Sequence, residues 1–202
     1  IATVQHIHLA EYLGARLHMC HVSTEEAMSE VIRAKIAKAP VTCEVAPHHL
    51  WFTNTDYRVN PPIRTKKDRD FLIWAIENGY VDAIATDHAP HTQEDKKNGS
   101  PGMVGLETAF GVCYTILVKE RGLPLRLLSR LMSAGPAKIL SVPKGRLLPG
   151  YDADFALVDE NREWVVDAAQ FASKGKNSPF DGVRLQGKVV RAIKAGKTTW
   201  QE

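Results

Sequence analysis

Three short apolar runs, LHMCHV (17–22), VTCEV (41–45) and VDAIAT (81–86), alternate along the chain with segments of helical periodicity. This alternation is the strongest constraint on the fold. Strands separated by helices run parallel, because the chain must cross back over the sheet between them. Three parallel strands cannot close a barrel, and standing alone they would leave long apolar edges open. A complete barrel of eight strand–helix units takes about 250 residues. The expectation is therefore α/β: the C-terminal part of a (β/α)8 barrel with about three strands present, the remaining strands lying upstream of Ile1.

The helical segments have recognisable ends. Val4, Ile7, Ala10 and Leu13 fall near helical spacing, and Gly14 supplies a stop. Ser23 or Thr24 can cap the next helix, with Glu26 at capping-box spacing from Ser23, and Pro40 closes that segment. KKDRDFLIWAIENG predicts a helix stopping at Gly79, a long loop follows to about Gly102, and two helices are predicted near 105–121 and 124–134. Beyond about residue 140 the texture changes to short alternating strands with Gly/Pro turns, as in KGRLLPGYDADFALVD, REWVV and GKVVRAIKAGKTTW. Residues 1–140 are thus expected to be barrel and residues 141–202 a small β-sandwich subdomain.

Composition narrows the class. With 44% hydrophobic and 24% charged residues the chain reads as an ordinary globular protein. A net charge of +3 without any dense Lys/Arg block argues against nucleic acid or a membrane surface as partner. The three cysteines sit within apolar runs and are expected to be reduced and buried, as in a cytoplasmic protein. No apolar run approaches the roughly 20 residues that span a bilayer.

The chemistry-bearing stretch is ATDHAPHTQEDK (85–96), which ends a strand in Asp87, His88 and His91. Alternation along a barrel strand sends every second side chain inward. It places Asp87 inside at the rim, with Thr42 and Glu44 inward on the second strand. On the first strand it places Leu17, Met19 and His21 inward, with His18 and Cys20 outward. An imidazole and a carboxylate on neighbouring rims suit Zn²⁺. His48 and His49 look like metal ligands by spacing alone. His6 and His8 imitate a His-x-His pair, but two positions apart on a helix they share no face. The glycine-bearing loop 91–102 is a candidate cover for the site.

HVST after the first strand, PHHL after the second, NPPIR (60–64) and ATDHAPH together resemble dihydroorotases of the bacterial branch of the amidohydrolase superfamily. GMVGLETAF (102–110), NSPF (177–180) and GYDADFALVD (150–159) extend the resemblance over nearly the whole chain. The resemblance implies a metal-dependent cyclic amidase with one or two zinc ions, interconverting dihydroorotate and N-carbamoyl-L-aspartate in pyrimidine synthesis. It implies His21 and Asp87 as metal ligands, Asp87 also as the proton shuttle, and Asn60, His91 and the Pro101–Gly102 backbone as substrate contacts. On the same basis His48 and His49 are supporting residues, while His88 alternates outward from Asp87 and is expected to make a supporting hydrogen bond.

A strand-one His-x-His-x-Arg, a bridging carboxylated lysine or aspartate and a histidine after strand five are expected from the missing upstream half, so this piece alone is expected to be inactive. The implied partners are that half, a second copy, or aspartate transcarbamoylase. A hydantoinase or allantoinase, and a non-catalytic dihydroorotase-like partner of aspartate transcarbamoylase, are the alternatives.

Overall fold

A computed structural model describes all residues, 1–202. By packing, the chain divides into two compact units, Ile1–Asp87 and His88–Glu202. The change of texture near residue 140 lies inside the second.

In the first unit three strands, β1 (Leu17–Met19), β2 (Val41–Val45) and β3 (Ala83–Ile84), form a parallel sheet in the order β1-β2-β3. Helices α1 (Ala2–Leu13), α2 (Glu25–Ile36), α3 (Pro47–Trp51) and α4 (Lys66–Glu77) connect and cover it. Gly14 ends α1 in the left-handed conformation, as predicted. Of the two possible caps for α2, Thr24 does the work: its hydroxyl accepts the Ala27 N–H. The helix stops at Ile36, ahead of Pro40. Val41, Cys43 and Val45 are buried, as are Met28 and Val31 of α2 and Leu72, Ile73 and Ile76 of α4. Each such aliphatic side chain contributes roughly 1.5–3 kcal/mol by leaving water.

Two polar ties fix the helices to the sheet. The Lys35 ammonium donates to the Tyr80 carbonyl at 2.6 Å and to the Asp82 carboxylate, which also accepts the Cys43 N–H at 2.8 Å. Asp68 closes a capping box with Thr65 at the start of α4 and accepts the Glu25 N–H at 3.0 Å, joining the N-termini of α2 and α4. Burial pushes the Cys43 thiol, and in the second unit that of Cys113, up to about 12. Both are inert packing groups. Cys20 departs from the expectation of burial: it is exposed.

The second unit opens with a loop that carries a short helix, α5 (Gln93–Lys97), capped by Thr92 and Asp95. Helix α6 (Ala109–Cys113) runs on through wider turns to Glu120. Helix α7 (Leu125–Ser129) likewise passes through wide turns at Arg130–Ala134 into α8 (Gly135–Ile139), five residues beyond the predicted end. Wider turns accommodate Pro136, which lacks an N–H and crowds the preceding turn. Strands β4 (Phe155–Val165), β5 (Arg184–Lys194) and β6 (Lys197–Gln201) make one antiparallel sheet. FALVD and REWVV, expected as separate strands, belong to β4, which bulges between Asp159 and Glu163.

Gly187 on β5 has φ 79°, and a Cβ there would stand 2.6 Å from ring carbons of Tyr114. Gly187→Ala is therefore expected to destabilise the protein by about 2–3 kcal/mol, read as a lowered urea midpoint. An unchanged midpoint would show that Tyr114 moves aside freely.

Candidate functional site

The C-terminal ends of β1, β2 and β3 gather most of the titratable groups singled out in the sequence. His18 lies in register with Thr42, and its Nδ1 is 2.8 Å from the Thr42 hydroxyl while its Nε2 is 3.1 Å from the Glu44 carboxylate. His18 therefore shares the face of Thr42 and Glu44. The expectation that His18 and Cys20 point outward is corrected: parallel strands in register present matched residues on the same face, and the one-residue offset assumed between β1 and β2 was wrong. Cys20 Sγ lies within 4.8 Å of the His18 and Glu44 ligand atoms.

His21 and Asp87 follow β1 and β3 in left-handed backbone, with φ 37° and 50°. Few non-glycine residues adopt that conformation, and those that do concentrate at functional positions. The kink also explains why simple alternation fails to track His21. Despite the parity of its position, its imidazole acts electrostatically on Asp87, His48 and His49.

Asp87 has a side chain 25% exposed. Burial raises its pKa and Glu44 adds to the rise, while His21 opposes it. The carboxylate is thus a stronger base than an exposed aspartate.

His48 and His49 start α3, directly after β2, and both are buried. His48 Nε2 is 3.8 Å from the Asp87 carboxylate, beyond hydrogen-bond reach. Both His48 nitrogens and Nδ1 of His49 lack a hydrogen-bond partner. His49 Nε2 donates to the Pro61 carbonyl at 3.0 Å, which leaves its Nδ1 as a bare lone pair. Burial first, then neighbouring histidines, lowers the His48 pKa to about 3; burial lowers that of His49 to about 4, against the Pro61 hydrogen bond. Both rings are therefore neutral at physiological pH. An orphaned buried polar atom costs about 1–3 kcal/mol. An imidazole and a carboxylate, as His21 and Asp87 supply, are the chemistry that fits a divalent ion such as zinc, and His48 stands beside that carboxylate. The spacing of PHHL singles these two residues out in the sequence, and the resemblance assigns them a supporting role.

Asn60 is exposed and precedes Pro61 through a cis peptide bond. In the second unit His91, Pro101 and Gly102 come together. His91 Nε2 contacts the Pro101 carbonyl at 2.8 Å, and the His91 N–H donates to the Asn177 side chain at 3.0 Å. Gly102 has φ 137°, with room for no Cβ against the Ala89 carbonyl. Lys96 donates to the carbonyls of Ser100 and Gly102, so the loop is built on internal hydrogen bonds. His88 Nδ1 accepts the Gly105 N–H at 3.1 Å, the supporting role expected of it. His6 and His8 are exposed on α1, with local partners in the Ala2 carbonyl and Glu11.

The sequence profile described as "Amidohydrolase family" matches residues 3–199. A dihydroorotase of Clostridium botulinum (strain Eklund 17B / Type B) is 52% identical over 202 residues, 99% of this chain and 51% of that protein. One from Bacillus subtilis (strain 168) is 43% identical, over 96% of this chain and 48% of that protein. The chain spans about half the length of these curated relatives. Among solved structures, an L-hydantoinase from Arthrobacter aurescens superposes with a TM-score of 0.93 at 32% identity, covering 98% of this chain and 48% of that one. A D-hydantoinase from Thermus sp. gives 0.93 at 23% identity over 98% of this chain and 48% of that one, a likeness of fold alone. The parallel sheet with its helices and the separate antiparallel sheet are accordingly a partial amidohydrolase barrel with its β unit.

Proposed function

Because the chain belongs to the amidohydrolase family, we propose that it forms part of a zinc-dependent cyclic amidase that interconverts dihydroorotate and N-carbamoyl-L-aspartate, a step of pyrimidine synthesis. The single observation that carries the substrate choice is the identity to a dihydroorotase, 52% over 99% of the chain. The L-hydantoinase shares 32%.

His21 and Asp87 would hold the ion, together with ligands from the rest of the barrel, and His48 and His49 stand beside them. A divalent cation held there supplies Lewis acidity, polarising an amide carbonyl and making water nucleophilic near neutral pH. The protein's own part is proton transfer and positioning. Asp87, its basicity raised by burial, accepts the proton of the attacking water at a carboxylate oxygen. It then delivers that proton to the departing ring nitrogen, which needs it to leave as an amide. His48 and His49 stay unprotonated, so their lone pairs are not lost to protons. The His49 Nε2–H···Pro61 hydrogen bond fixes that ring's tautomer. Asn60, His91 and the Pro101–Gly102 backbone contact the substrate in this reading.

A chimera tests it. The matching residues of the Clostridium botulinum dihydroorotase are replaced by this chain, and ring opening of dihydroorotate and of hydantoin is assayed. Turnover of dihydroorotate is expected. A folded, metal-loaded chimera that opens hydantoin and leaves dihydroorotate untouched would overturn the reading.

A further inference from the structure

Beside the His21–Asp87 cluster stands a second group of metal-ligating side chains: His18 on β1, Cys20 just past its end, and Glu44 on β2. We propose that these three residues form a separate thiolate-containing cation site, selective for zinc or a comparably soft divalent ion.

The placement of three different ligating groups together carries the inference. Nε2 of His18 is 3.1 Å from the Glu44 carboxylate and Nδ1 is 2.8 Å from the Thr42 hydroxyl. With its proton on Nε2 the ring donates to Glu44 and accepts the Thr42 O–H, and Cys20 Sγ, within 4.8 Å of the other two ligand atoms, stays outside that pair. A metal ion in place of the shared proton engages the imidazole, the thiolate and the carboxylate together.

The spacing suits a metal. Ligand atoms about 2.0–2.3 Å from a tetrahedral ion stand roughly 3.3–3.6 Å apart, and small side-chain rotations bring the group to that geometry. One imidazole, one thiolate and one carboxylate leave a fourth position open, and a ring nitrogen held by Thr42 is the usual outer support of a ligating histidine. The cysteine is also the one exposed thiol of the three, so an ion can reach it.

The site stands on these residues and does not depend on which cyclic amide the protein opens. The test is titration of the 202-residue chain with Co²⁺, followed by near-ultraviolet absorption, where only sulfur ligation produces a charge-transfer band. One such band per chain is expected, displaced by Zn²⁺. Cys20→Ser should abolish it; being exposed, that position tolerates the change without unfolding, checked by circular dichroism. His18→Ala and Glu44→Gln should each weaken cobalt binding at least about tenfold, whereas His49→Ala should leave the band in place. A folded chain with no band, or a band that survives Cys20→Ser, would overturn the proposal and leave the catalytic reading intact. Loss of dihydroorotate turnover in the chimera with the cobalt band retained would do the reverse.

Discussion

Replacing Asp87 with Asn in the chimeric enzyme is expected to lower kcat by about 10²–10⁴-fold, the usual range for loss of a positioned general acid–base group. Asparagine keeps the size of the side chain and can still reach a cation through its oxygen, but it can neither take a proton from water nor return one. The group is suited to the task because burial makes it more basic than an exposed aspartate. Its left-handed backbone, φ 50°, is a conformation asparagine also accepts, so the variant should fold. Steady-state assays with circular dichroism as a control read the result. Activity within threefold of the parent would remove Asp87 from the chemistry.

Acidification should destabilise the metal-free chain through His48 and His49. Their folded pKa values, about 3 and about 4, lie below the ordinary 6.5. Below pH 6.5 the unfolded chain therefore binds protons that the folded chain refuses. The sign follows: stability is full above about 6.5 and falls as pH drops toward 4, with each unit of displacement equivalent to 1.36 kcal/mol per group. Asp87 works in the opposite sense, since its folded pKa is raised, and offsets part of the loss. The net expectation is a urea midpoint that declines between pH 6.5 and 4, and a shallower decline in His48→Gln. A flat profile across that interval would mean that the two rings are not buried as neutral imidazoles.

The parallel β/α order, the stop at Gly14, the cap at Ser23 or Thr24 and the strand VTCEV were legible because each rests on local chemistry: periodicity, a glycine, a hydroxyl ahead of a helix. The facing of β1 was not. Whether His18 or His21 looks into the sheet's working face depends on the register against β2, and a slip of one residue reverses every side chain. The left-handed turns at His21 and Asp87 then break alternation at the positions that matter most. The surroundings of His48 and His49 lay just as far out of reach. Their spacing was visible, but the orphaned nitrogens and the Pro61 carbonyl that locks His49 emerge only when a loop residue twelve positions away folds back. Loop 91–102 showed its glycines and charges, while the capping box that turns its middle into α5 passed unnoticed in ThrGlnGluAsp.

His21 and Asp87 are proposed to bind one divalent ion, with His48 and His49 packed beside it. Imidazole nitrogen chemical shifts of the ¹⁵N-histidine-labelled chain, assigned by single substitutions and recorded with and without Zn²⁺, test it most directly. The expected result is a proton on Nε2 of His49 and a zinc-induced displacement of the His21 resonances. Zinc that leaves the His21 resonances unmoved would contradict the proposal.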